Sequence, residues 1–300
     1  MEGVTLRLGT RGSLLARTQS GWVADAITAA TGVAVELVVI STRGDRVTDR
    51  PLAQVGGKGL FTKEIEDAML AGEVDLAVHS MKDMPTEGPA GLVIASIPVR
   101  ADPRDALVGA TLAELAPGAV VGTGSARRAA QLAVMRPDLE IRGIRGNVDT
   151  RVRKQRDGEY DAIVLAKAGL DRLGRSSDVT EVIPADAMVP AVGQGALAVQ
   201  CRRRDADVLA VLERIHHPDT AVCVSAERSF MVTLEGGCSV PAACFARLDG
   251  EYLMAEGFFA DDAGSRRLSL RSDPMHGIAL GRELASRLRG GGGRPASAGG

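Results

Sequence analysis

Apolar residues recur in two rhythms along the first two thirds of the chain. Short runs at residues 4–8, 35–40, 74–78, 92–97, 119–121, 139–141 and 162–165 have the length and composition of strands. Between them, residues 13–30, 60–71 and 125–135 repeat apolar positions at helical spacing. Such alternation predicts βα units around mostly parallel sheets. From about residue 220 the rhythm changes. A helix (220–234), three adjacent strands (242–248, 252–259 and 267–271) and a closing helix (274–289) predict a separate α+β domain.

Two stretches rich in proline, glycine or charge, 97–105 and 189–195, read as crossings between interleaved domains. The expected division is therefore residues 1–98 with 195–215 as domain 1, 99–194 as domain 2 and 216–289 as domain 3. A Gly/Ala/Ser/Pro tail, 290–300, is expected to be disordered. Two crossings imply a hinge and a cleft between the first two domains. Ligands of open α/β sheets bind beyond the carboxyl ends of strands, so the chemistry is expected on the loops that follow strands.

Composition narrows the classes. Of 300 residues, 45% are hydrophobic and 25% charged, as in an ordinary globular protein. A net charge of −2 argues against a general nucleic-acid binder. Cys201, Cys223, Cys238 and Cys244 have no C-x-x-C spacing, which fits a reduced, cytoplasmic setting and gives no metal motif. The first residues lack the pattern of a signal peptide, and no apolar run of about 18 residues predicts a membrane span. The 36 basic residues comprise 31 Arg and 5 Lys. A high-GC genome gives that bias, and so does a need to grip carboxylates or phosphates in bidentate fashion.

Local chemistry points to anions. Gly9-Thr10-Arg11-Gly12-Ser13 and Gly122-Thr123-Gly124-Ser125-Ala126-Arg127-Arg128 each follow a predicted strand and open a helix. Free N–H groups, the helix dipole and guanidinium groups then converge. A helix cap with solvated arginines is the plain alternative for either turn alone. A third turn, Val78-His79-Ser80-Met81-Lys82-Asp83, sets a carboxylate at a strand end. Residues 127–156 hold eight Arg, one Lys, two Asp and one Glu, a local +6. With Tyr160 as the lone nearby aromatic, a small polycarboxylate fits this segment better than a single-stranded nucleic acid. Residues 45–59, with Gly56-Gly57-Lys58-Gly59, lack P-loop spacing and read as a lid. Glu235-Gly236-Gly237-Cys238-Ser239 presents one cysteine in a tight loop.

Together with Val55-Gly56-Gly57-Lys58-Gly59-Leu60-Phe61, Arg145-Gly146-Asn147-Val148 and Pro190-Ala191-Val192-Gly193-Gln194-Gly195, these motifs resemble the porphobilinogen deaminase (hydroxymethylbilane synthase) family, in order from residue 10 to about 241. The resemblance implies two interleaved domains similar to periplasmic binding proteins and a third, α+β domain. It also implies a dipyrromethane cofactor joined to Cys238 by a thioether. The implied reaction is head-to-tail polymerisation of porphobilinogen with loss of ammonia. Asp83 is the implied catalytic residue, stabilising the azafulvene cation left when ammonia departs. Lys82, Ser13, Ser125, Arg127 and Arg128 are implied to hold the cofactor, and Arg11, Arg145, Arg151 and Arg172 the substrate. Lys58 and Phe61 belong to the lid. A monomer with no nucleic-acid or membrane partner is expected. Gln54 stands where the family commonly has a basic residue, and Gly124 where it commonly has Ser. A non-catalytic anion-binding protein of the same architecture is the alternative, and it needs neither Asp83 nor Cys238.

Overall fold

The computed structural model describes residues 5–42, 62–234 and 240–292, and the backbone of residues 294–295. The first elements are β1 (Thr5–Thr10), α1 (Leu14–Thr31), β2 (Ala34–Val39), α2 (Lys63–Ala71), β3 (Leu76–Ser80) and β4 (Leu92–Ser96). Next come β5 (Asp105–Val108), β6 (Val120–Gly122), α3 (Ala126–Met135), β7 (Glu140–Arg142), α4 (Val148–Arg156), β8 (Ala162–Ala166), α5 (Lys167–Arg172) and β9 (Glu181–Ile183). The last are β10 (Leu197–Arg202), α6 (Ala206–Glu213), α7 (Pro218–Thr233), β11 (Ala242–Asp249), β12 (Tyr252–Asp261), β13 (Gly264–Ser272), α8 (Gly277–Arg289) and β14 (Arg294–Pro295). The chain divides into two compact units, residues 1–100 with 196–221 and residues 101–195 with 222–300.

The first unit is a three-layer α/β/α body around a sheet of order β2-β1-β3-β10-β4. Val23 and Ile27 of α1 and Val208 and Leu212 of α6 pack on Leu8, Leu76 and Val199 of the sheet. On the other face Ile65, Ala68 and Met69 of α2 cover Ala77 and Leu92. β1 pairs parallel with β2 and β3, whereas β10 runs antiparallel to both β3 and β4. Four of the five strands therefore run one way, and β10 alone is reversed.

The second unit repeats the plan, with sheet order β7-β6-β8-β5-β9 and β5 as its reversed strand. Leu132 of α3 packs on Leu107, Val121 and Val164 on one face. Val152 of α4 and Leu170 of α5 pack with Ala106, Val108 and Ile163 on the other. Both reversed strands directly follow a crossing segment. A chain arriving at the carboxyl edge of a sheet can join it only by running back against its neighbours. Asp105 thus starts β5 beside Ala166, the last residue of β8. Leu197 likewise starts β10 opposite Ser80, the last of β3.

The same unit contains a second, antiparallel sheet, β11-β12-β13-β14. Phe230 of α7 and Leu280, Leu284 and Leu288 of α8 bury Ala246, Leu253 and Ala255 on one of its faces. The class is α/β with an α+β portion at the C-terminal end. Arg294 and Pro295 pair with β13; residues 293 and 296–300, part of the stretch expected to be disordered, lie outside the described residues. Among the described residues no helix is long and apolar enough to cross a membrane.

Candidate active site

In the first unit β1 and β3 are parallel neighbours, with Gly9 beside Ala77, so their carboxyl ends share one sheet edge. Ser13 caps α1, its hydroxyl accepting from the Ala16 N–H at 3.3 Å. Arg11 and Ser13 are half-buried there. After β3 the chain makes one 3-10 turn, Met81–Asp83. Met81 and Met84 are buried on either side, and the Met81 N–H donates to the Ala196 carbonyl at 3.0 Å. Those anchors fix the turn and leave Asp83 exposed and Lys82 half-buried. The buried Gln19 of α1 reaches Ser80 at 3.1 Å, joining the two turns. Arg11, Ser13, Lys82 and Asp83 are therefore brought to one edge.

His79, just before this turn, is buried among β-sheet neighbours. Burial lowers its pKa to about 4, aided by the charge of Arg11 and opposed by Gln200. It is neutral at physiological pH and adds no cation to the edge. Gln200 in turn donates to the buried Glu66 of α2 at 3.2 Å.

In the second unit the parallel strands β7, β6 and β8 also end at one edge. Ser125 caps α3, accepting from the Arg128 N–H at 3.4 Å, and Thr123 accepts from the Ser125 N–H at 3.2 Å. Asn147 caps α4, accepting from the Thr150 N–H at 2.9 Å. Arg145 lies in the loop before that cap, half-buried, and Arg151 Nε donates to the Gly146 carbonyl at 2.7 Å. Arg172 donates to the Gly195 carbonyl at 2.8 Å.

Arg127 and Arg128 do hold a carboxylate in the structure, and it is the protein's own. Arg127 Nη1 donates to Asp105 Oδ2 at 2.7 Å, and Arg128 Nη2 and Nε donate to Oδ1 at 2.7 and 2.9 Å. Asp105 is 0% exposed and each arginine 5%. Burial alone would raise the Asp105 pKa; the charges of Arg127 and Arg128 reverse this and hold the carboxyl well below the usual carboxylate range. Sequence reading missed Asp105. Its signal was an acid opening the short apolar run Ala106-Leu107-Val108 directly after a crossing. Gln131 and Gln194, both buried beside this cluster, were missed as well.

Gly124 has a structural reason. A Cβ there would sit 2.9 Å from the Ile144 carbonyl oxygen, so the serine common in the resembled family needs that loop to move. Gln54, Lys58, Phe61 and Cys238 lie outside the described residues. The other three cysteines are buried, and burial pushes the Cys201 thiol up to about 11.

Comparison with known proteins now decides the family. Residues 6–210 match the model of the porphobilinogen deaminase dipyromethane cofactor binding domain, and residues 221–290 that of the porphobilinogen deaminase C-terminal domain. The chain belongs to the porphobilinogen deaminase family. The porphobilinogen deaminase of Geobacter sulfurreducens is 50% identical over 293 residues, covering 96% of this chain and 92% of that one. That of Trichlorobacter lovleyi is 49% identical, covering 96% and 94%. That of a Roseiflexus species is 48% identical, covering 98% and 99%. Among solved structures, the periplasmic aliphatic sulphonate binding protein SsuA of Escherichia coli is similar at 13% identity and a TM-score of 0.39, covering 77% of this chain and 70% of that one.

Proposed function

We propose that this chain polymerises porphobilinogen head to tail, releasing one ammonia per unit, to make hydroxymethylbilane on a dipyrromethane primer held by a thioether to Cys238. The observation that carries this reading is an exposed carboxylate, Asp83, on a turn pinned by buried methionines, at the same sheet edge as Arg11, Ser13 and Lys82. A buried carboxylate can serve an anion site by orienting its arginines, but an exposed one at the ligand edge repels the anion and is of use only where positive charge develops.

Each pyrrole carries an acetate and a propionate, so the growing chain is a polyanion. The donors present suit such a ligand: capped helix N-termini at Ser13, Ser125 and Asn147, with arginines beside each. Arg11, Arg145, Arg151 and Arg172 bind substrate carboxylates. Ser13, Lys82, Ser125 and the excess positive charge of Arg127 and Arg128 over Asp105 hold the primer, while Lys58 and Phe61 serve the lid. When bound, dipyrromethane supplies the nucleophilic pyrrole carbon that receives the first unit. Asp83 accepts pyrrole N–H groups and stabilises the substrate cation more strongly than the neutral ground state. The burial of Cys201, Cys223 and Cys244 supports Cys238 as the attachment point. The enzyme acts as a cytoplasmic monomer without nucleic-acid or membrane partners.

The test is ammonia release from porphobilinogen by the purified protein, compared with Asp83→Asn. Asp83→Asn keeps the size and loses the charge, so turnover falls by about 10²–10³ in rate, as for a lost preorganised partner elsewhere. Near-parental kcat in primer-loaded Asp83→Asn removes Asp83 from the mechanism. A parent that releases no ammonia overturns the functional reading itself.

A further inference from the structure

The segment 189–195, read from sequence as a crossing, is held on every side within the second unit. Arg127 Nη1 and Gln131 Nε2 donate to the Val189 carbonyl at 2.8 and 3.1 Å, and Gln131 Oε1 accepts from the Val189 N–H at 2.7 Å. Glu227, fully buried on α7, accepts from the Gly193 N–H at 2.6 Å and from the Ala246 N–H of β11 at 2.9 Å. Gly195 adopts φ +86°, and a Cβ there would sit 2.5 Å from the Ala101 carbonyl oxygen. The two crossing segments are thus pressed together at a point that only glycine allows.

Gln194 is the residue through which this segment reaches the arginines. It is 1% exposed. Its Nε2 donates to Asp105 Oδ1 at 2.9 Å and to the Pro103 carbonyl at 2.7 Å, so one amide grips both ends of the turn that delivers Asp105. Asp105 Oδ1 thereby receives three N–H donors, two from Arg128 and one from Gln194. The third nitrogen of Arg128, Nη1, donates to the Val164 carbonyl at 2.9 Å. Every nitrogen of Arg128 is therefore engaged with protein, and its fork has one orientation. The cluster of two guanidinium groups and one carboxylate keeps a net +1 at the root of α3, below the Ser125 cap.

We propose that Asp105 and Gln194 are positioning residues of the anion site: they fix Arg128, and with it Arg127, so that the excess positive charge of the cluster supports a ligand carboxylate at the Ser125 turn. This rests on the functional reading above. Neither residue touches the ligand; each acts through the arginines. A guanidinium without this anchor would turn toward other acceptors, and the ligand would have to order it on binding, which weakens affinity without altering the reacting centre.

The experiment compares the parent with Gln194→Met, Arg128→Lys, Arg145→Lys and the double variants Gln194→Met/Arg128→Lys and Gln194→Met/Arg145→Lys. Four quantities are read: dipyrromethane occupancy by intact mass, KM and kcat of the loaded fraction, and Tm. Gln194→Met is expected to lower dipyrromethane occupancy by ~tenfold, the scale of one hydrogen bond to a charged group, with KM and kcat of the loaded fraction within about twofold of the parent. The loss of occupancy is not deepened by Gln194→Met in the Arg128→Lys background, because both act through one cluster, whereas Arg145→Lys adds a rise in KM and leaves the loss of occupancy unchanged. If Gln194→Met fails to fold, Gln194→Glu, which keeps the length and turns the donor into an acceptor, is expected to show the same loss of occupancy. A lower Tm with parental occupancy, or a loss of occupancy that multiplies with Arg128→Lys, overturns the proposal. Failure of the functional reading shows instead in the parent, as absence of ammonia release.

Discussion

Replacing Asp105 with Asn removes the charge that two buried guanidinium groups share, and the amide keeps almost the same volume. Asp105 is 0% exposed and Arg127 and Arg128 5% each, so water cannot screen what remains. Breaking a buried ion pair by removing one partner costs about 3–5 kcal/mol, chiefly because the other charge stays buried and unpaired. At roughly 2–4 °C per kcal/mol for a body of this size, Tm falls by about 6–20 °C. The effect has a pH signature. The folded-state pKa of Asp105 is depressed, so its contribution is fully present above the unfolded value, about 3.9, and fades as pH falls through the folded value. The gap between parent and Asp105→Asn, followed by calorimetry from pH 7 to pH 3, is therefore constant down to about pH 4–5 and narrows below. A Tm within 1–2 °C of the parent at pH 7, or a gap that widens in acid, refutes the assignment of Asp105 as the anchor of the two arginines.

The same geometry gives further expectations. His79, with a pKa lowered to about 4, contributes its stability fully above its unfolded pKa of roughly 6.5 and loses about 1.4 kcal/mol for each pH unit from there down to about 4, where the folded state also takes the proton; its imidazole resonances should titrate near 4, and a midpoint at 6–7 contradicts the buried placement. Gly124→Ser forces a side chain to within 2.9 Å of the Ile144 carbonyl oxygen, so it is expected to destabilise by about 1–3 kcal/mol without lowering KM for porphobilinogen; a more stable variant with tighter binding contradicts the packing argument. Arg145→Leu should raise KM by ~tenfold or more and stall elongation, leaving partly extended species visible by mass; parental rate and affinity would remove Arg145 from the site.

The elements that follow a periodic rule were legible. Residues 13–30 and 125–135 showed both their helical period and the serine that caps each helix. The reversed strands were not. β5 has four residues, all buried, and opens with an acid, so it shows no alternation. β10 holds the buried Gln200 in an apolar run directly after a glycine-rich crossing. α4 is almost wholly polar, with Val152 its single buried residue. Its helical form rests on the Asn147 cap and on packing, neither of which periodicity reports. The site divides in the same way. Arg127 and Arg128 announced themselves by position after a strand, but their partner Asp105 is 22 residues away, brought there by the pairing of β5 with β8. Contacts made by strand order leave no local trace in the sequence.

Intact mass of the purified protein, before and after brief exposure to porphobilinogen, separates a primed polymerase from a binding protein. Polymerisation on a bound primer predicts a mass above that of the chain by one dipyrromethane, carried on Cys238 after peptide mapping, and then discrete increments of one pyrrole unit on exposure. A mass equal to the bare chain in active protein, or an adduct on Cys201, Cys223 or Cys244, would contradict it.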